Sequence, residues 1–128
     1  MLREQWLTCV GKKIETLFLE NGYRMPNYLI TCGNENLSQA RLAHELVISR
    51  HISDPLRAAD ILAHEMVHAA VGLPQGHNTA FAECARAIGL EGDVHETVAG
   101  EAFQERVRPW LDQLGSFPNA TLFLRQVG

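Results

Sequence analysis

The sequence has few cysteines, and their spacing excludes two kinds of site. The 128 residues contain three cysteines, Cys9, Cys32 and Cys84, and no two of them form a CxxC motif. A disulfide framework and a cysteine-ligated zinc ribbon are therefore not expected. An odd number of widely separated cysteines fits a reducing compartment.

Long apolar runs are also missing. No stretch is long enough to span a bilayer, and charged residues such as Arg3, Glu4, Lys12 and Lys13 interrupt the N-terminal segment, where a signal peptide would be apolar. We therefore expect a cytoplasmic protein with no membrane association.

The composition is that of one globular domain covering residues 1–128. Hydrophobic residues make up 46% of the chain and charged residues 20%, with no low-complexity tract. A chain of this length can bury about two-thirds of its unfolded surface in a single core. The formal net charge of -4 argues against a surface that grips phosphate throughout, because such domains are usually strongly basic. A local basic patch is not excluded.

Apolar periodicity and capping residues predict four helices. They cover residues 3–20, 55–71 and 79–88, and a fourth segment between Gly100 and Gly115, where Pro109 should kink or restart the helix. In the helix over residues 55–71, apolar residues cover much of the circumference, so we expect that helix to be buried.

Short β-favouring segments separate the first two helices. We predict strands at residues 27–32 and 45–49, and a less distinct third strand within residues 38–43. Helices and short strands in this order indicate an α+β fold with a small sheet. The final stretch, from Phe117 onward, either packs onto the core or mediates association, and the sequence does not decide between these roles.

The most informative motif lies in the second helix, where residues 64–68 spell HExxH. His64 and His68 are four residues apart, so they project from one helix face and can chelate one metal ion. Glu65 projects near the edge of that face, where it can accept a proton from a metal-activated water. Asp60, one turn earlier, either orients a ligand or, as we prefer, lies on ordinary helix surface.

The third ligand has more than one candidate. His77 follows a short turn and precedes a helix, so it can complete a three-histidine site with the fourth position open, or it can be only a polar loop residue. Glu83 and Glu91 are weaker candidates for the third ligand, because their spacings fit poorly. A metzincin is excluded, since Val71 occupies the position of that family's glycine.

The order of these motifs resembles the SprT-like, or Spartan-type, zinc metallopeptidase family, in particular its small bacterial and phage members. The resemblance is carried by HEMVHAAVG, then GHNTAF, then a helix that ends in AIGLEG, with further likeness in ISDPLRAADILAHE and LGSFPNATL. It covers most of residues 27–123, although only the histidine and glutamate core is highly specific. Asn78 departs from the family, which usually has glycine after the third histidine, but this change removes no ligand.

The resemblance implies a compact zincin-like domain, with a small sheet packed against the HExxH helix and flanking helices. It implies that His64, His68 and His77 bind Zn²⁺ and that Glu65 is the catalytic acid and base for hydrolysis of peptide bonds in protein substrates. Association with DNA is expected by analogy only, since family members that act on DNA-bound proteins carry additional DNA-binding or zinc-ribbon regions that these residues do not include.

Two other classes of function stay open. One is a zinc-stabilised protein-binding module without catalysis, although such a module has no chemical need for Glu65 beside an open coordination position. The other is a metal-dependent phosphodiesterase, which commonly needs two metals and several carboxylates.

Overall fold

The structure is a computed structural model, and it describes residues 1–33, 39–41, 45–72 and 76–119. These residues form an α+β fold, as predicted. The helices and strands in chain order are α1 (Arg3–Glu20), β1 (Leu29–Gly33), β2 (Gln39–Arg41), β3 (Glu45–Ser49), α2 (Pro55–Val71), α3 (Thr79–Ala87), β4 (Leu90–Glu91), β5 (Val98–Ala99) and α4 (Glu101–Leu114). No helix within these ranges is both long and apolar enough to cross a membrane.

Helix α2 is the central element of the fold, and local signals define both of its ends. The Asp54 side chain accepts a hydrogen bond from the backbone N–H of Arg57, and Pro55 occupies the first turn, where it needs no hydrogen-bond partner. Gly72, with a φ of 100°, ends the helix. The helix contacts α1, α3, α4 and β3, which explains why so much of it is buried, as predicted.

A three-stranded sheet packs against the helices in the order β1-β3-β2. Strand β1 is parallel to β3, with Ile30 opposite Leu46, and β2 is antiparallel to β3. The strands predicted at residues 27–32 and 45–49 are confirmed as β1 and β3, and the strand predicted within residues 38–43 is confirmed by β2, although residues 38, 42 and 43 lie outside the described residues. Ile30 and Leu46 are buried, so this sheet forms one wall of the core.

Helix α4 runs without interruption through Pro109, so of the two predicted outcomes, a kink or a restart, the restart is wrong. One face of α4 is buried, and its residues Phe103, Val107 and Leu111 pack against the core on both sides of Pro109. Pro109 and Glu105, whose carbonyl loses its usual donor at this proline, are exposed. Water can therefore satisfy the carbonyl, and packing holds the helix together.

The β4–β5 hairpin, which follows α3, was not predicted. Leu90 pairs with Ala99, and β5 contacts α2. Gly89 begins the hairpin with a φ of 99°, and a Cβ at this position would lie 2.8 Å from the backbone nitrogen of Phe103. Only glycine permits both this conformation and this close approach. The hairpin thereby brings residues 97–99 beside α2.

The segment after α4 packs onto the core through Phe117. The Phe117 ring lies 4.6 Å from the Trp6 ring, and the Arg3 guanidinium lies 3.9 Å from the centroid of Phe117. Arg3 also donates a hydrogen bond to the Pro118 carbonyl at 3.0 Å. Packing is thus the role of this part of the final stretch, whereas residues 120–128 lie outside the described residues.

Candidate metal centre

Three histidines converge beside α2. His64 and His68 project from successive turns of that helix, and His77 lies just before α3. The Nε2 atom of His77 is 3.1 Å from Nε2 of His68 and 3.3 Å from Nε2 of His64. One ring nitrogen from each residue lies within 4.8 Å of the other two, so the group could hold a metal ion.

The spacing of these nitrogens suits a shared cation better than a hydrogen-bond network. An imidazole Nε2 has one in-plane position, which holds either a hydrogen or a lone pair. His77 Nε2 therefore cannot make two well-aligned hydrogen bonds at once. In a tetrahedral zinc site with Zn–N bonds of about 2.0–2.1 Å, the ligand nitrogens lie roughly 3.3 Å apart. The two short separations in the cluster match that value.

The histidine rings are neutral near pH 7. Burial, with a smaller contribution from the charges of neighbouring histidines, lowers the pKa of His64 and of His68 to about 4. The pKa of His77 is also lowered, first by burial and then by the nearby His95. Metal ligands must be deprotonated, so these rings present the lone pairs that a metal requires.

The Phe81 ring supports all three histidine rings. Its centroid lies 4.9 Å from His64, 4.6 Å from His68 and 4.9 Å from His77. Phe81 is fully buried in α3, and its backbone N–H donates to the side chain of Asn78, which caps that helix. Asn78 thus fixes the start of α3 and with it the position of Phe81.

Glu65 is buried in α2 next to His64, with 5% of its surface exposed. Burial raises the pKa of its carboxyl to about 7, and no charged group contributes to that shift. Among the described residues, no hydrogen bond or ion pair involves this carboxyl. A carboxyl in this setting can both accept and donate a proton near neutral pH.

Thr97 contacts the cluster and was not found by sequence reasoning. Its Oγ1 lies 2.8 Å from Nδ1 of His64, on the ring edge opposite the three converging nitrogens. Thr97 is 3% exposed and immediately precedes β5. The only sequence signal was a β-favouring Thr97-Val98 pair after the turn at Gly92, too short to predict a strand.

Asp60 does not lie on ordinary helix surface, so our preferred interpretation of it is wrong. The residue is 4% exposed, and its carboxylate accepts hydrogen bonds from Arg57 at 3.0 Å and from the backbone N–H of Ala99 at 3.2 Å. Burial raises the pKa of Asp60 to about 6, although Arg57 and the Ala99 bond oppose the shift. Asp60 therefore joins α2 to β5.

The weaker candidates lie apart from the three nitrogens. Glu83 and Glu91 are exposed, and neither belongs to the histidine cluster. His95 forms the outer rim: its ring lies 4.6 Å from that of His77, and its Nδ1 is 3.1 Å from Oδ1 of Asp93. The side chains of His95 and Asp93 are 69% and 72% exposed, so this rim faces solvent.

Comparison of the chain with protein-family models, with curated proteins and with solved structures found no match in any of the three. The chemistry of the cluster has to be inferred from its own residues.

Proposed function

We propose that this chain is a zinc metallopeptidase of the SprT-like type, in a compact zincin-like domain, that hydrolyses peptide bonds in protein substrates. The observation that supports this proposal most strongly is the convergence of His64, His68 and His77, with Nε2 separations of 3.1 and 3.3 Å. The first two histidines lie on α2, which also carries the buried Glu65.

The donor set suits Zn²⁺. Three neutral imidazoles and no further protein ligand in the described cluster form the set that catalytic zinc sites use, because the fourth position stays open for water or substrate. Structural zinc sites normally have four protein ligands. When bound, zinc supplies Lewis acidity, which polarises a carbonyl and brings the pKa of water toward neutrality.

Glu65 is the proton carrier in this proposal. As a carboxylate it accepts the proton from the attacking water, and as a carboxylic acid it donates that proton to the leaving amine. The Phe81 ring holds the three imidazoles in place, so the groups that react are oriented before substrate arrives.

The proposed substrate is an unfolded protein or a flexible segment of one, and the proposed location is the cytoplasm, where the three free cysteines stay reduced. DNA-associated proteins are a narrower proposal that depends on the family resemblance alone. The net charge of -4 gives no independent support for it.

The test compares wild type with Glu65→Gln, which keeps the size of the side chain but cannot carry the proton. Both proteins are loaded with zinc, their metal content is verified, and each is incubated with an unfolded protein, with and without single-stranded DNA. Glu83→Gln is a matched control, because Glu83 is exposed on α3 and lies outside the cluster.

We expect cleavage by wild type and by Glu83→Gln and none by Glu65→Gln, with equal zinc content. Faster cleavage in the presence of DNA would support the narrower proposal. Zinc bound by all three proteins without cleavage would favour the non-catalytic binding module. Cleavage of the single-stranded DNA instead of the protein would favour a metal-dependent phosphodiesterase.

A further inference from the structure

The hydroxyl of Thr97 approaches the one nitrogen of His64 that cannot be a metal ligand in this cluster. His64 directs Nε2 toward the other histidines and Nδ1 toward Thr97 Oγ1, at 2.8 Å. A neutral imidazole carries hydrogen on only one of these nitrogens. The partner of Nδ1 therefore influences whether Nε2 has a lone pair or a hydrogen.

A hydroxyl oxygen that accepts from Nδ1–H favours the tautomer with a free lone pair on Nε2. This is the tautomer that a metal ligand needs, and an oxygen acceptor on the far ring nitrogen also fixes the plane of the ring. His64 has no carboxylate or backbone carbonyl at Nδ1 among its described hydrogen bonds, so the Thr97 hydroxyl takes the place that those groups usually have.

The position of Thr97 is itself held from α2. The backbone N–H of Ala99 donates to Asp60 at 3.2 Å, and the Arg57 guanidinium, which donates to the same carboxylate, lies 3.5 Å from the Thr97 carbonyl. Both Thr97 and Asp60 are almost fully buried. Helix α2 thus carries His64 and also Asp60 and Arg57, the two residues that hold Thr97 in place beside the His64 ring.

We propose that Thr97 is a positioning residue of the metal centre: its hydroxyl accepts the Nδ1–H of His64, selects the tautomer whose Nε2 lone pair faces the cluster, and thereby raises the affinity for zinc. This inference rests on the proposed metal site and not on the identity of the substrate. Asp60 and Arg57 act through Thr97, because they hold residues 97–99 beside α2.

The test measures zinc affinity by competition with a chelator for wild type, Thr97→Val and Thr97→Ser. Valine matches the shape of threonine without the hydroxyl, and serine restores the hydroxyl. Thr16→Val is the matched control, because the Thr16 hydroxyl binds the Lys13 carbonyl on exposed α1 surface. Nitrogen NMR on the metal-free wild type reports directly which His64 nitrogen carries the hydrogen.

We expect Thr97→Val to bind zinc about 10- to 100-fold more weakly than wild type, in the range seen when outer partners of metal ligands are removed. Thr97→Ser should recover most of the affinity, and Thr16→Val should match wild type. In the metal-free wild type, the hydrogen should lie on Nδ1 of His64.

Two results would overturn the inference while leaving the metal site intact: wild type and Thr97→Val bind zinc equally, or the metal-free wild type carries the hydrogen on Nε2 of His64. The NMR result holds even if Thr97→Val does not fold. Failure of wild type to bind zinc would instead refute the proposed function itself, and this inference with it.

Discussion

The buried carboxyl of Asp60 should give the protein a measurable loss of stability between pH 4 and pH 6. Its pKa is about 6 in the folded chain, compared with an ordinary value of 3.8, because burial disfavours the charged form. The folded chain therefore binds this proton more tightly than the unfolded chain does. The contribution of the neutral Asp60 carboxyl to the free energy of unfolding is fully present below about pH 4 and is lost as the pH rises through about 6.

The size of the effect follows from the two pKa values. Each pKa unit corresponds to about 1.4 kcal/mol, so the ionisation of Asp60 should lower the free energy of unfolding by about 3 kcal/mol. Asp60 is only 4% exposed, so solvent screening reduces this value little.

The assay is urea unfolding of wild type and Asp60→Asn at several pH values from 4 to 7, with a chelator present throughout so that metal occupancy does not change. Asparagine keeps the size of the side chain but does not titrate. We expect the stability of Asp60→Asn relative to wild type to rise by about 2–3 kcal/mol across this range, because the unfolded chain is already partly ionised at pH 4. Because both proteins contain the same histidines, whose lowered pKa values act in the opposite direction, the histidine contribution cancels in the difference. A difference that is flat with pH would refute the reasoning.

Three further predictions concern packing and backbone geometry, and each can be measured by chemical denaturation at pH 7. Phe81→Ala should lower the free energy of unfolding by about 3–5 kcal/mol, because it removes a fully buried ring, and should also weaken zinc binding; unchanged stability would contradict this. Gly89→Ala should lower the free energy of unfolding more than Gly22→Ala does. Both glycines have a positive φ, but of the two only Gly89 would bring a Cβ to 2.8 Å from the Phe103 backbone nitrogen. Equal losses of stability would show that the close approach does not matter. Arg3→Met should lower the free energy of unfolding by about 3 kcal/mol, because the carbonyls of Ile52 and Pro118 lose their charged donor. A loss below about 1 kcal/mol would contradict a stabilising role for these two hydrogen bonds.

The helices could be predicted because their signals are local. Asp54, Pro55 and Gly72 lie at the two ends of α2, and they set its limits without help from the rest of the chain. The apolar spacing in α1 has the same property. The pairing of His64 with His68 also follows from local pattern, since the two lie one helical turn apart. Local pattern left the role of His77 open, because its position beside the pair depends on how α3 packs against α2.

The remaining features depend on contacts between distant residues. The strands of the β4–β5 hairpin have two residues each, too few for a periodic pattern, and the hairpin depends on the close approach of Gly89 to α4. Thr97 reaches His64 across 33 positions in the chain, and the buried Asp60 accepts a hydrogen bond from Ala99 across 39 positions. Pro109 stays helical because packing on both sides of it outweighs one lost hydrogen bond.

The central claim is that three histidines form a zinc site with one open position. X-ray absorption spectroscopy of the zinc-loaded protein, together with its metal stoichiometry, tests that claim most directly, and His77→Ala is the comparison. We predict one zinc per chain, with three imidazole ligands at about 2.0 Å and one lighter ligand from water, and the loss of one imidazole and much of the affinity in His77→Ala. A wild-type protein that binds no zinc, or a site that His77→Ala leaves unchanged, would contradict the claim.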